Sequence, residues 1–143
     1  MIEKSQLQHL VEVMDRLRSS GGCPWDAEQT HESLLTYLIE ESYEFIDAVE
    51  RSDRADMLEE LGDILLQVVF HARIASEENG LGFDIEDVAK GISNKLISRH
   101  PHVFSEEREL TATEVESNWE KIKSAEKGRS SAGEGVPLGQ PAL

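Results

Sequence analysis

The chain has 143 residues, enough for a single folded domain with its own hydrophobic core. Its formal net charge of −15 repels the phosphates of long nucleic acids, so binding to DNA or RNA is not expected. The single cysteine, Cys23, excludes an internal disulfide and a Cys-rich zinc site, and without a visible signal peptide or membrane span a cytoplasmic protein is expected.

Helical periodicity dominates the sequence, and no stretch alternates convincingly as a strand does. Apolar residues recur at i, i+3 and i+4 through five stretches, each typical of an amphipathic or buried helix. We therefore predict an all-α fold, a helical bundle of about five helices. The predicted helices cover residues 4–18, 31–51, 54–79, 85–98 and 114–126.

Local signals place the segments between these helices. Cys23-Pro24-Trp25-Asp26 is predicted to be a turn after the first helix. Thr113 and Glu116 have the spacing of a capping box and predict the start of the last helix. We expect residues 1–127 to form one domain and the small, polar residues 128–143 to form a flexible tail.

The third predicted helix is apolar nearly all round at its centre, over residues 64–70. A helix of this kind is expected to be buried on most sides. Two central helices this apolar in so short a chain predict that a face is buried against a second copy. We therefore expect a homodimer or a higher homo-oligomer.

Two acidic pairs on consecutive predicted helices form the main candidate site. Glu41 with Glu44, and Glu60 with Asp63, each have the i, i+3 spacing that places both side chains on one helix face. Antiparallel helices joined by a short turn can aim all four carboxylates at one point, where their mutual repulsion requires a cation. Oxygen ligands alone favour Mg²⁺, with Mn²⁺ possible, over zinc. Gly62 is expected to let the neighbouring helix approach closely.

Two alternatives stay open from the residues alone. A di-iron carboxylate bundle needs two Glu-x-x-His motifs, and only Glu28 with His31 provides one, since His71 has Val68 where the glutamate is required. A helical module that binds nucleotides or a protein partner without chemistry is the second alternative. Asp63 lies beside the most apolar segment, and a non-catalytic scaffold would not need an aspartate there.

Four sequence blocks follow one another along the chain: Cys23-Pro24-Trp25-Asp26, Gln29-Thr30-His31-Glu32-Ser33-Leu34, the two acidic pairs, and Arg99-His100-Pro101-His102-Val103-Phe104. Together they resemble the MazG family of nucleoside triphosphate pyrophosphohydrolases over about residues 5–125. The resemblance implies an all-α fold of the dUTPase/MazG type that assembles as a homodimer or higher oligomer. It also implies Mg²⁺-dependent hydrolysis of nucleoside triphosphates to monophosphate and pyrophosphate, a house-cleaning of the nucleotide pool.

The resemblance assigns roles to individual acids. It implies that Glu41, Glu44, Glu60 and Asp63 are the metal ligands. Glu40 corresponds to a position beside the ligands that helps to form the nucleotide site. Either Glu40 or Glu41 is the candidate catalytic base, and the sequence leaves that choice open.

The resemblance also implies two substrate-binding pairs further along the chain. Lys95 and Arg99 correspond to a Lys-x-x-x-Arg pair that contacts phosphate, and Trp119 and Lys123 to a Trp-x-x-x-Lys pair. From the residues alone, the basic pair is equally an ordinary solvated face, and Trp119 or Trp25 either stacks on a base or completes the core. Many family members carry two such domains in tandem, so the chain is either a short form or a fragment.

Overall fold

A computed structural model of the chain describes residues 3–80, 82–105 and 108–129. These ranges form seven α-helices and contain no strand, which confirms the predicted all-α fold. Within them, no helix is both long and apolar enough to cross a lipid bilayer. The helices are α1 Gln6–Arg18, α2 Pro24–Glu28, α3 His31–Glu50, α4 Arg54–Ala75, α5 Ile85–Arg99, α6 Pro101–Phe104 and α7 Ala112–Arg129.

Two of these helices were not predicted as such, because both are very short. The predicted turn at residues 23–26 is largely helix α2, and the predicted loop at residues 100–104 is largely helix α6. Both begin with a proline, whose fixed φ and missing N–H suit the first position of a helix. A helix of four or five residues is too short for periodicity to reveal it.

The chain divides into two compact units, Met1–Val88 and Ala89–Leu143. The first unit holds α1 to α4 and the first residues of α5, and the second holds the rest of α5 with α6 and α7. The single domain expected for residues 1–127 stays a prediction. Most of the expected flexible tail, residues 130–143, lies outside the described part of the chain.

Helices α3 and α4 form an antiparallel hairpin, and its ends are set by local hydrogen bonds. Thr30 and Ser33 cap α3 reciprocally, because each side-chain oxygen accepts the other residue's backbone N–H at 3.0 and 2.9 Å. Asp53 caps α4 by accepting the N–H of Asp56 at 3.0 Å. Only three residues separate the helices, so the two must run side by side in opposite directions.

The core of the first unit lies where α1 and the N-terminal half of α3 meet the C-terminal half of α4. Its buried members are Met14, Leu34, Val69, Phe70 and Ile74. These come from the apolar stripe of each helix, as the periodicity predicted. The centre of α4 is less enclosed than expected, since Val68 within it remains exposed.

Arg18, at the end of α1, connects α1 to α2 and to the segment that follows α4. Its Nη1 donates hydrogen bonds to the backbone carbonyls of Asp26 at 2.7 Å and Gln29 at 2.9 Å, and its Nε donates to Glu77 at 2.6 Å. The Arg18 side chain is almost fully buried. The buried arginine therefore holds α2 against the end of α1 and the segment that follows α4 through its hydrogen bonds and its ion pair with Glu77.

The capping box predicted for the last helix is wrong by two residues. Helix α7 is capped by Thr111, whose Oγ1 accepts the N–H of Glu114 at 3.2 Å, while the Glu114 carboxylate accepts the Thr111 N–H at 3.3 Å. Thr113 lies inside the first turn. The chain carries the same Thr-x-x-Glu spacing twice, at 111–114 and at 113–116, so local pattern alone does not decide between them.

Candidate metal centre

The hairpin of α3 and α4 brings the four predicted carboxylates together. One side-chain oxygen from each residue lies within 4.8 Å of the others, with Glu41 and Glu44 contributed by α3 and Glu60 and Asp63 by α4. The i, i+3 spacing on each helix and the three-residue turn between them account for this convergence. We call these four residues the carboxylate cluster.

The carboxylate cluster is electrostatically strained without a cation. Burial, and after it the charge of Asp63, raises the pKa of Glu41 to about 6. Burial, and after it the hydrogen bond and charge of Glu44, raises the pKa of Glu60 to about 7. Oε2 of Glu41 and Oε2 of Glu60 are buried and accept no hydrogen bond from the described residues.

These properties match the needs of a hard divalent cation. Buried oxygens without a donor are costly unless a positive charge satisfies them. All four donors are carboxylate oxygens, the chemistry that Mg²⁺ and Mn²⁺ prefer. The residues present therefore fit a divalent metal.

Gly62 does not play the role expected of it. A β-carbon added at this position would have no described atom outside its own helical surroundings within 4 Å. The expectation of a close helix approach at Gly62 is wrong, because a side chain at this position would extend into open space.

Two further residues adjoin the carboxylate cluster along the helices, Glu40, which is exposed, and Gln67, which is buried. Glu40 is exposed on α3 and is not among the four converging residues. Gln67 is buried on α4, one turn after Asp63 and on the same face, and its Oε1 accepts no hydrogen bond from the described residues. Gln67 was not predicted as a site residue, although its i+4 spacing from Asp63 was a usable signal in the sequence.

His31 and His71, the two histidines considered for a di-iron site, contact each other. Nδ1 of His31 lies 2.8 Å from Nδ1 of His71, and the two ring planes are within 4° of parallel. Burial lowers the pKa of His71, and the neighbouring His31 lowers it further. Among the described residues, the one ligand group with at least three members contains no histidine, which does not favour a di-iron site.

In the second unit, the predicted phosphate-binding pair occupies the last turns of α5. Lys95 is half-buried and Arg99 is buried. Nη2 of Arg99 donates to a carboxylate oxygen of Glu126 at 3.2 Å, which links α5 to α7. A phosphate at Arg99 would have to share the guanidinium with this carboxylate.

The second predicted substrate pair lies on α7. Trp119 and Lys123 share a helix face with Glu126, because their spacing is i, i+4 and i+7. The Trp119 ring meets His100 edge to face, with ring centroids 5.2 Å apart. The second unit therefore carries Lys95, Arg99, Trp119 and Lys123 on α5 and α7.

Together, the fold and the site define an all-α protein with four converging carboxylates, a candidate metal site, on a helix hairpin. A family model described as the MazG nucleotide pyrophosphohydrolase domain matches residues 29–104, more than half of the chain. The matched segment includes the whole hairpin and the carboxylate cluster. The chain belongs to the MazG family.

Named relatives are similar over nearly the whole chain. The nucleoside triphosphate pyrophosphohydrolase/pyrophosphatase MazG of Thermotoga maritima is 51% identical over 139 residues, which cover 95% of this chain and 52% of the relative. A nucleoside triphosphate pyrophosphohydrolase of Escherichia coli is 45% identical over 143 residues, covering 97% and 54%. The chain thus spans about half the length of these curated relatives.

A solved structure supports the same relationship. The crystal structure of a mazG-related protein from Thermotoga maritima matches with a TM-score of 0.68 and 31% sequence identity. The match covers 82% of this chain and 98% of that one. The two proteins therefore share the all-α fold, and the shared region is nearly the whole of the solved chain.

Proposed function

We propose that the chain hydrolyses nucleoside triphosphates to nucleoside monophosphate and pyrophosphate, with Mg²⁺ as cofactor and Mn²⁺ as a substitute. The convergence of four carboxylates within 4.8 Å is the observation that carries this proposal. Membership of the MazG family and the names of the relatives support it. The proposal places the protein in the cytoplasm, where free nucleoside triphosphates are found, with no role for a membrane or a long nucleic acid.

In this proposal, Glu41, Glu44, Glu60 and Asp63 hold the divalent metal. A bound cation supplies positive charge for the triphosphate oxygens and lowers the pKa of nearby water. The attacking water forms a bond to the α-phosphorus as the bond from that phosphorus to the α–β bridging oxygen breaks, and this oxygen leaves with the pyrophosphate. Glu40 or Glu41 accepts the proton that the water loses.

The basic and aromatic residues of the second unit are proposed to bind the substrate. Lys95 and Arg99 neutralise negative charge on the phosphates and on the leaving pyrophosphate. Trp119 and Lys123, one turn apart on α7, contribute an aromatic face and a further positive charge. For Arg99, exchange of the Glu126 carboxylate for a phosphate oxygen keeps the guanidinium satisfied.

An exposed apolar stripe on α3 supports the proposal of a homodimer. The residues recur at i, i+4, i+11 and i+14, so they share the helix face opposite the carboxylate cluster. Exposed aliphatic side chains in one contiguous stripe are typical of a protein interface. The stripe consists of Leu35, Ile39, Ile46 and Val49.

A nucleotide panel with product identification tests the function. The purified chain is incubated with Mg²⁺ and each of the common ribo- and deoxyribonucleoside triphosphates, and products are separated by anion exchange. Monophosphate and pyrophosphate in equal amounts are expected, and Glu44→Ala and Asp63→Ala are expected to lower turnover at least 100-fold. Release of orthophosphate, or full activity of both variants, would refute the proposal.

Binding without turnover would favour the non-catalytic alternative. In that case nucleotides bind in the presence of Mg²⁺, but no product accumulates during long incubation. Size measurement by light scattering in the same buffer tests the homodimer, and a monomer at all concentrations would exclude it.

A further inference from the structure

Two exposed aromatic side chains of the first unit form a corner. Trp25 on α2 and Tyr37 on α3 have ring centroids 6.0 Å apart and ring planes 75° apart. Trp25 is 49% exposed and Tyr37 39% exposed. A corner of two rings offers a planar heteroaromatic group one face for stacking and one edge-to-face contact.

The aromatic corner lies in line with the carboxylate cluster. Tyr37, Glu41 and Glu44 are spaced i, i+4 and i+7, so all three side chains leave the same face of α3. One turn of helix, about 6 Å of rise, separates Tyr37 from Glu41. This spacing is comparable to that between a nucleobase and its α-phosphate across the ribose.

The backbone beneath Trp25 is held firmly. Arg18 donates to the carbonyls of Asp26 and Gln29 on either side of the end of α2. The Gln29 side chain donates to the Trp25 carbonyl at 2.9 Å and accepts from the Ser33 hydroxyl at 2.8 Å. Preorganised aromatic rings lose little entropy when a ligand stacks on them.

The aromatic corner recognises the face of a base and not its hydrogen-bonding edge. Each polar atom of the Gln29 amide already makes one hydrogen bond, and these bonds orient the side chain toward Trp25 and Ser33. Stacking tolerates every base, because each base has a π-face. Recognition at this corner therefore depends on the presence of a base more than on its identity.

We propose that Trp25 and Tyr37 bind the nucleobase of the substrate by stacking and make the enzyme tolerant of different bases. This inference rests on the proposed function and adds a binding site to it. Trp119, the other tryptophan, already contacts His100 within the second unit. The experiment must therefore separate the two tryptophans.

Kinetics with matched aromatic variants test the proposal. Trp25→Ala and Tyr37→Ala are expected to raise KM by roughly fivefold to 150-fold for ATP, GTP, CTP and UTP alike, because each lost stacking contact weakens binding of the base. Trp25→Phe keeps an aromatic face and is expected to recover most of this loss. Inhibition by inorganic tripolyphosphate, which has no base, is expected to be the same in all these variants and the wild type.

Tyr43→Ala is the control variant. Tyr43 is 68% exposed on the same helix, but it lies about 120° round the helix axis from Tyr37. Its removal is expected to leave KM unchanged for all four nucleotides. Circular dichroism and sizing of each variant confirm that the fold and the oligomeric state are retained.

A binding measurement keeps the inference testable if the wild type shows no turnover. In the Trp119→Phe protein, Trp25 is the remaining tryptophan, and nucleotides are expected to quench its fluorescence while tripolyphosphate does not. A wild-type KM in Trp25→Ala and Tyr37→Ala, equal quenching by tripolyphosphate, or an effect restricted to one base would overturn the proposal. Loss of the dimer in Trp25→Ala would also overturn it, by showing a contact between copies.

Discussion

Replacing Asp63 by asparagine should change the stability of the protein in opposite directions with and without metal. The substitution keeps the shape of the side chain and removes one negative charge from the carboxylate cluster. In the metal-free protein this relieves repulsion from the neighbouring carboxylates. In the presence of Mg²⁺ it removes a proposed ligand.

The separation of the oxygens gives the size of the first effect. Two unit charges 4.8 Å apart repel by about 0.9 kcal/mol in a water-like medium, and by more where solvent is partly excluded. Removing the repulsion between Asp63 and Glu41 alone should therefore raise the free energy of unfolding by about 1 kcal/mol. A saturating cation at 100 times its Kd stabilises the wild type by about 2.7 kcal/mol, and this gain should vanish in Asp63→Asn.

Urea unfolding of both proteins with EDTA and with excess Mg²⁺ measures the two effects. Glu59→Gln is the charge-matched control, since Glu59 is exposed on the same helix and outside the carboxylate cluster. The control should shift the free energy of unfolding by less than about 0.5 kcal/mol and keep the full response to Mg²⁺. Destabilisation of metal-free Asp63→Asn, or an unchanged response to Mg²⁺, would refute the electrostatic account of the site.

Three further measurements test other parts of the structure. The raised pKa values of Glu41 and Glu60 mean that, between pH 4.5 and about 7, the folded state binds more protons than the unfolded chain. The contribution of these two residues to the free energy of unfolding should therefore fall as the pH rises through this window. Excess Mg²⁺ should abolish that fall, and identical urea-unfolding profiles with and without Mg²⁺ would contradict it. Arg18→Met should lower the free energy of unfolding by about 2–4 kcal/mol, mainly through its two lost bonds to backbone carbonyls, as measured in urea. Leu34→Ala should cost about 2–5 kcal/mol through the cavity that it leaves, and a loss below 1 kcal/mol would show that this core position is not enclosed.

The sequence by itself determined the five long helices and the convergence of the four acids. Helical spacing fixes which side chains share a face, and the short polar segment at residues 51–53 forces α3 and α4 to run antiparallel. With both acidic pairs on inward faces near that turn, Glu44 and Glu60 have to lie close together. Local periodicity is sufficient for this conclusion because no distant part of the chain takes part.

Features that depend on which surfaces meet were decided only by the tertiary structure. Gly62 was expected to contact a helix and points into open space, because one-dimensional spacing does not show how far a face extends. The same limit hid the burial of Gln67 and the pairing of Trp25 with Tyr37. Arg18, which fixes α2 under Trp25, pairs with Glu77, 59 residues away in the chain. Contacts between residues so far apart in the chain depend on how the helices pack, and local sequence patterns do not determine that packing.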